Sequence, residues 1–129
     1  MGQGWEASDK GTAPAIDLIP KDIVICDWHY SLQQDYPSVR LFQTKGFRVW
    51  PASYQDDKAA LALLECAYKD RGPRMLGYLQ TSWVIHAGYF AQALLGEGDP
   101  EALKERAQPS AKSLKACMTR LQSVSGAGN

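Results

Sequence analysis

Residues 22–30 read Asp22-Ile23-Val24-Ile25-Cys26-Asp27-Trp28-His29-Tyr30. The unbroken Ile-Val-Ile-Cys run suits a strand covered on both faces, as in parallel sheets, rather than the alternating pattern of a half-exposed strand. It runs into a polar, aromatic cluster. Two later stretches repeat the design. Phe47-Arg48-Val49-Trp50 leads into Pro51-Ala52-Ser53-Tyr54, and Met75-Leu76-Gly77-Tyr78-Leu79 leads into Gln80-Thr81-Ser82-Trp83. The starts lie about 25 residues apart, the length of a strand, a helix and two short loops.

The intervening segments carry helix signals. Pro37 fits a first helical turn after Asp35 or Tyr36, and Gly46 fits the left-handed position after the helix, so a helix is expected over 37–45 with Leu41 and Phe42 buried. Asp56 or Asp57 caps a second helix over 57–70, with Ala60, Leu61, Leu64, Ala67 and Tyr68 at helical spacing, and Gly72-Pro73 stops it. A third is expected from Val84 to Leu95, closed by Gly96. Asp99-Pro100-Glu101 opens a short helix. A last helix carries Leu114, Met118 and Leu121 as its apolar stripe. The strands are expected at 22–27, 47–51 and 74–80, the second ending at Pro51, which cannot donate to a ladder. They are expected to run parallel, in sequential order, with the helices on one side.

The fold class is therefore α/β. Residues 1–21 are expected to form an irregular segment in which Ile16, Leu18 and Ile19 either pack locally or complete the end of a missing element. Residues 22–96 hold three βα units, and 97–129 hold the C-terminal helices and a frayed tail. A complete (β/α)8 barrel takes about 250 residues. The expectation is a partial barrel of three units, whose sheet edges call for the missing half or for self-association. A small open doubly wound sheet is the alternative.

The 129 residues carry 14 basic and 14 acidic side chains. This balance argues against a nucleic-acid or anionic-membrane surface. No apolar run approaches the roughly 18 residues of a membrane span. Met1 to Lys10 lacks the apolar core of a secretion signal. Cys26, Cys66 and Cys117 form no CxxC pair; their odd number reads as reduced, buried thiols and points to a cytoplasmic setting. No glycine-rich dinucleotide or phosphate loop appears, and neither Ser53 nor Ser82 sits in a G-x-S-x-G elbow. His29 and His86 lack partners at metal-ligand spacing. No cofactor and no metal is expected.

What remains is aromatic. In α/β folds, ligands bind beyond the carboxyl ends of parallel strands. Flat rings pack on the apolar faces of sugars while polar neighbours bond the hydroxyls. Asp27, Trp28, Tyr30, Tyr54, Asp56 and Trp83 are the candidate carbohydrate-binding residues. Each has a plainer reading: Asp27 as acceptor for loop amides, Tyr30 and Tyr54 as loop covers, Asp56 as helix cap, and Trp28 and Trp83 as packing. Trp50 reads as core.

The run from Asp22 to about Leu95 resembles the C-terminal barrel strands of glycoside hydrolase family 20, the β-N-acetylhexosaminidases. The best local match is Arg74-Met75-Leu76-Gly77-Tyr78-Leu79-Gln80-Thr81-Ser82-Trp83, similar to that family's last strand, which ends in a Trp walling the sugar pocket. Phe47-Arg48-Val49-Trp50-Pro51-Ala52-Ser53-Tyr54-Gln55-Asp56 resembles the strand before it. The resemblance implies that Tyr54 meets an N-acetyl group, Asp56 a sugar hydroxyl, and that Trp28 lines the pocket. Two departures stand out. Ile85 occupies a position commonly acidic in the family, and the family's adjacent Asp-Glu pair, the orienting group and general acid of substrate-assisted hydrolysis, belongs to strands upstream of the match. The chain is thus expected to be the C-terminal part of a larger glycosidase barrel, with no catalytic residue of its own. A non-catalytic carbohydrate-binding half-barrel and a small partner-binding α/β domain are the competing readings.

Overall fold

A computed structural model of the chain describes residues 10–83, 87–105 and 107–126. A short 3-10 turn, Ala13–Asp17, precedes β1 (Val24–Trp28), α1 (Pro37–Thr44), β2 (Arg48–Ser53), α2 (Asp57–Lys69), β3 (Leu79–Gln80), α3 (Ala87–Leu95), α4 (Pro100–Leu103) and α5 (Ala107–Gly126). The three strands form one open sheet in the order β1-β2-β3, both pairings parallel. The fold is α/β with right-sized helical crossovers, as the strand–helix spacing requires.

Helix boundaries follow local chemistry. Pro37 opens α1, and Gly46, at φ +92°, turns the chain into β2. Asp56 caps α2 by accepting from the backbone N–H groups of Lys58 and Ala59. Asp99 caps α4 in the same way, accepting from Glu101 N. The expected start of the third helix at Val84, the Ile85 position, His86 and the first nine residues lie outside the described residues.

β3 corrects the expectation of a strand over 74–80. It pairs only at Leu79–Gln80, with a separate bridge between Met75 and Val49. Two residues cause the gap. Gly77 takes φ +114° and carries the chain out of the ladder. On β2, Val49 and Ser53 bond toward β3: Val49 N donates to Arg74 O, Leu76 N to Val49 O, and Thr81 N to Ser53 O. Pro51 stands midway between them, facing the same side with no N–H to give. The interruption in one strand thus lies opposite the missing donor in the other. β2 itself does not stop at Pro51 but continues to Ser53.

The helices cover one face of the sheet. Phe47, Val49, Pro51 and Ser53 are fully buried there, and Asp27 nearly so. α1 and α2 pack on this face, Tyr36, Val39 and Leu63 making one buried cluster and Ala60, Leu64 and Cys117 of α5 a second. The helix phases differ from those expected. In α1 it is Val39 that is buried, while Leu41 is exposed, because Val39 is the residue that meets Tyr36 and Leu63. In α2 Ala59 and Leu63 join Ala60, Leu64 and Ala67 inside, and Tyr68 is exposed. In α5 the buried face is the small one, Ala107, Ser110, Ala111, Ser113 and Cys117; Met118 and Leu121 are exposed. Cys117 is the α5 residue that packs against Ala60 and Leu64 of α2, while Leu114, Met118 and Leu121 line a hollow beside that contact. Leu18 is exposed, so of the two readings of this segment local packing does not hold for it.

Among the described residues no helix covers the opposite face. Cys26, Trp28, Arg48 and Trp50 point to it and are exposed, Trp50 at 37 %. Trp50 is therefore not a core residue here, and Cys26 is not buried, because no layer of the described residues lies over them. Ala52 is the buried exception on this face, in register with Trp28 and Leu79. No helix among the described residues is long and apolar enough to cross a membrane.

Candidate functional site

The carboxyl ends of all three strands meet in an aromatic cluster. Trp28 is the last residue of β1, Tyr30 follows it, Tyr54 follows β2, and Trp83 lies three residues beyond β3. Trp28 and Tyr30 lie nearly parallel and offset, 6.2 Å between centroids and 16° between planes. Trp83 meets Trp28 edge-on, at 5.6 Å and 81°. Tyr30 and Tyr54 are 5.4 Å apart. Four of the six candidate residues are thus in mutual contact, drawn from positions 55 residues apart in the chain, and parallel register is what gathers them.

The two indoles form a right-angled corner, with Trp28 46 % and Trp83 48 % exposed. A Trp buried for packing alone would hide this surface. Trp83 Nε1 donates to Tyr30 Oη at 2.9 Å. Thr81 Oγ1 stands 3.2 Å from the same oxygen and 2.6 Å from the Ser53 carbonyl. Thr81 and Ser53 were not legible as part of the site. The signal available was a hydroxyl residue between a strand end and an aromatic, which is too common to single out.

The two carboxylates go elsewhere. Asp27 lies on the helix-covered face, where Ser38 Oγ donates to its Oδ2 at 2.8 Å. His29 Nε2 is 3.1 Å from Asp27 Oδ1 and 2.9 Å from Ser38 Oγ. The trio contains the residue types of a nucleophilic triad but not its arrangement. One imidazole nitrogen meets both partners, and the serine proton is directed at the carboxylate, so no base activates Ser38. Its work is to tie the end of β1 to the first turn of α1. Asp56 Oδ1 accepts from Lys58 N at 2.9 Å and Ala59 N at 3.0 Å, the geometry of a helix cap. Neither acid joins the aromatic cluster through a described contact.

A polar chain under the cluster holds the strand ends together. Tyr78 Oη is bonded to Ser53 Oγ and donates to Gln80 Oε1 at 2.8 Å. Gln80 Nε2 donates to Tyr54 O at 2.6 Å, and Ser113 Oγ of α5 reaches Gln80 Oε1 at 3.3 Å. Burial pushes the Tyr78 phenol well above its ordinary value of 10.0, against the opposing effect of its bond to Ser53. A pKa raised by folding contributes stability that is complete below the unfolded value and is lost as pH rises toward the folded one. The urea midpoint should therefore fall between about pH 10 and pH 12, and Tyr78→Phe should flatten that fall. A midpoint equally steep with pH in the variant would refute this role for Tyr78.

Two hollows open away from the aromatic corner. One of about 580 Å³ is lined by Gln55, Lys104, Lys112 and Lys115, and one of about 370 Å³ lies between α2 and α5, lined by Tyr68, Met75, Leu114 and Met118. The corner itself is open to solvent, and neither hollow is lined by Trp28 or Trp83. Among the described residues no group of three His, Cys, Asp or Glu side chains is placed to hold a metal ion. No known family model matches the chain, and no curated protein matches it.

Proposed function

We propose that the chain is the C-terminal part of a family 20-like glycosidase barrel and supplies one aromatic wall of a carbohydrate pocket, of the N-acetylhexosamine type. The observation that carries this reading is the exposed corner of Trp28 and Trp83, backed by Tyr30 and Tyr54, at the carboxyl ends of three parallel strands. The bare sheet face supports it as well. In a closed barrel the face carrying Cys26, Arg48 and Trp50 turns inward, and further βα units cover it. A complete open sheet would bring helices to both faces. The missing units, or a second copy of the chain, cover this surface in the working protein.

The test is titration of the chain with N-acetylglucosamine, followed through the indole N–H resonances of its tryptophans. The Trp28 and Trp83 signals should move and saturate together. Trp83→Ala should weaken binding by about tenfold, equivalent to about 1.4 kcal/mol, and change stability by about 1 kcal/mol or less, since the ring is half exposed. If saturating sugar leaves both indole signals in place, the carbohydrate reading is wrong.

A further inference from the structure

The hollow between α2 and α5 has an apolar, buried base and one charged end. Its volume of about 370 Å³ falls within the roughly 300–1,000 Å³ range of small-molecule sites. Leu64, Ala67 and Cys117 at its base are buried, while Tyr68, Leu76 and Met118 along its rim are exposed. The stretch Met75–Tyr78, which Gly77 carries out of the ladder, forms a third side. The two helices run side by side in the same direction. Asp57 pairs with Lys112, Leu64 packs against Cys117, and Glu65 pairs with Arg120. On α5 the lining recurs at Leu114, Cys117, Met118 and Leu121, so the groove follows the helix for about two turns, roughly 10 Å.

Arg71 stands just past the end of α2, and its guanidinium carbon lies 4.6 Å from the centre of the Tyr68 ring. Contact with a ring face leaves the edge of a guanidinium open to acceptors. No described acceptor bonds the Arg71 N–H groups. No Asp or Glu lines the groove beside it. Burial raises both the Cys117 thiol and the Tyr78 phenol above their ordinary values, so the base carries no anion near neutral pH. We infer that this groove binds a monocarboxylate with an unbranched apolar tail, of the medium-chain fatty acid type. The tail lies along α5 on Leu64, Ala67 and Cys117, and the carboxylate takes two N–H groups of Arg71. A tail removes apolar surface from water along the whole groove, and the charge supplies the direction in which it lies. Neither Trp28 nor Trp83 lines the groove, so the site is independent of the carbohydrate reading.

The probe is octanoate at neutral pH, kept below its micelle-forming concentration, with octanol as its uncharged counterpart. Met75 and Met118 both line the groove, so isotope-labelled methionine methyl groups in the intact chain report its filling. Met75→Leu and Met118→Leu assign the two signals. Both signals should move with octanoate and saturate together. Octanol should bind about tenfold more weakly, for want of a charge-assisted pair, and Arg71→Gln should bring octanoate down to the octanol value. Methyl signals that octanoate leaves in place would overturn the assignment. So would equal affinity of the parent chain for octanoate and octanol, a comparison that holds whether or not Arg71→Gln folds. Signals that follow protein concentration instead of octanoate, together with a doubled mass in solution, would make the groove a contact between copies and overturn it as well.

Discussion

Purified chain should release no chromophore from an aryl N-acetyl-β-glucosaminide above the buffer rate. Loss of a positioned general acid typically removes about 10²–10⁴-fold of rate. In the proposed family 20-like reaction the acid and the carboxylate that orients the acetamido group would both come from strands upstream of the stretch that resembles that family. The acids near these strand ends offer no substitute. Asp27 is bonded to Ser38 and His29 on the covered face, and Asp56 caps α2. Both are held where the fold uses them. On the proposed reading, co-expression with βα units of a family 20 barrel that carry an Asp-Glu strand end should give turnover. Activity that follows the chain through purification and is abolished by Asp27→Asn would show that the chain holds its own acid.

The second large effect is on stability. Leu63→Ala should cost about 2–5 kcal/mol, measured by urea unfolding. Leu63 is fully buried between Tyr36 and Val39, with Met75 and Tyr78 packed against the same cluster, so it links α1, α2 and the segment leading into β3. Collapse around the cavity is restricted because Tyr36 is itself anchored, its hydroxyl within 3.4 Å of the carbonyls of Ser31 and Ala59. The contrast with Trp83→Ala separates core from site. One variant loses stability at intact binding surface, the other loses binding at nearly intact stability. A Leu63→Ala chain as stable as its parent would mean that this cluster is not the core.

The sheet was readable because its signals are local. An apolar run of four residues, the Asp56 and Asp99 caps and the glycines that follow α1 and α3 do not depend on distant partners, and strand order and direction follow from the crossovers. The phases of α1 and α5 were not readable, because burial there is decided by which neighbour is close. Leu41, Met118 and Leu121 are more apolar than the residues that replaced them inside. They lost their places because Val39 packs against Leu63 and because Cys117 is the α5 residue that packs against Ala60 and Leu64 of α2. The break in β3 needed Gly77 and Pro51 to be read together, across a pairing that the sequence does not display. In the candidate site the aromatics were legible as rings clustered at strand ends. The carboxylates were the weaker assignment. Asp27 alternates with Trp28 along β1, so a strand that shows the indole to the open face must turn the acid to the other.

The parallel register also dictates when this sheet can form. Val24 pairs with Arg48 and Ala52 with Leu79, partners 24 and 27 residues apart, and neither pairing is a hairpin that two adjacent strands could zip by themselves. Each strand must wait for the helix between it and its neighbour to condense and return the chain to the right height. Loop closure thus comes before any backbone ladder, which makes assembly slow relative to helix formation. During synthesis β1 emerges first and has nothing to pair with until Arg48 to Ser53 has been made. Its Ile-Val-Ile-Cys stretch is exposed for that whole interval, so the segment that announces the fold is also the one most in need of shelter while the fold is being built.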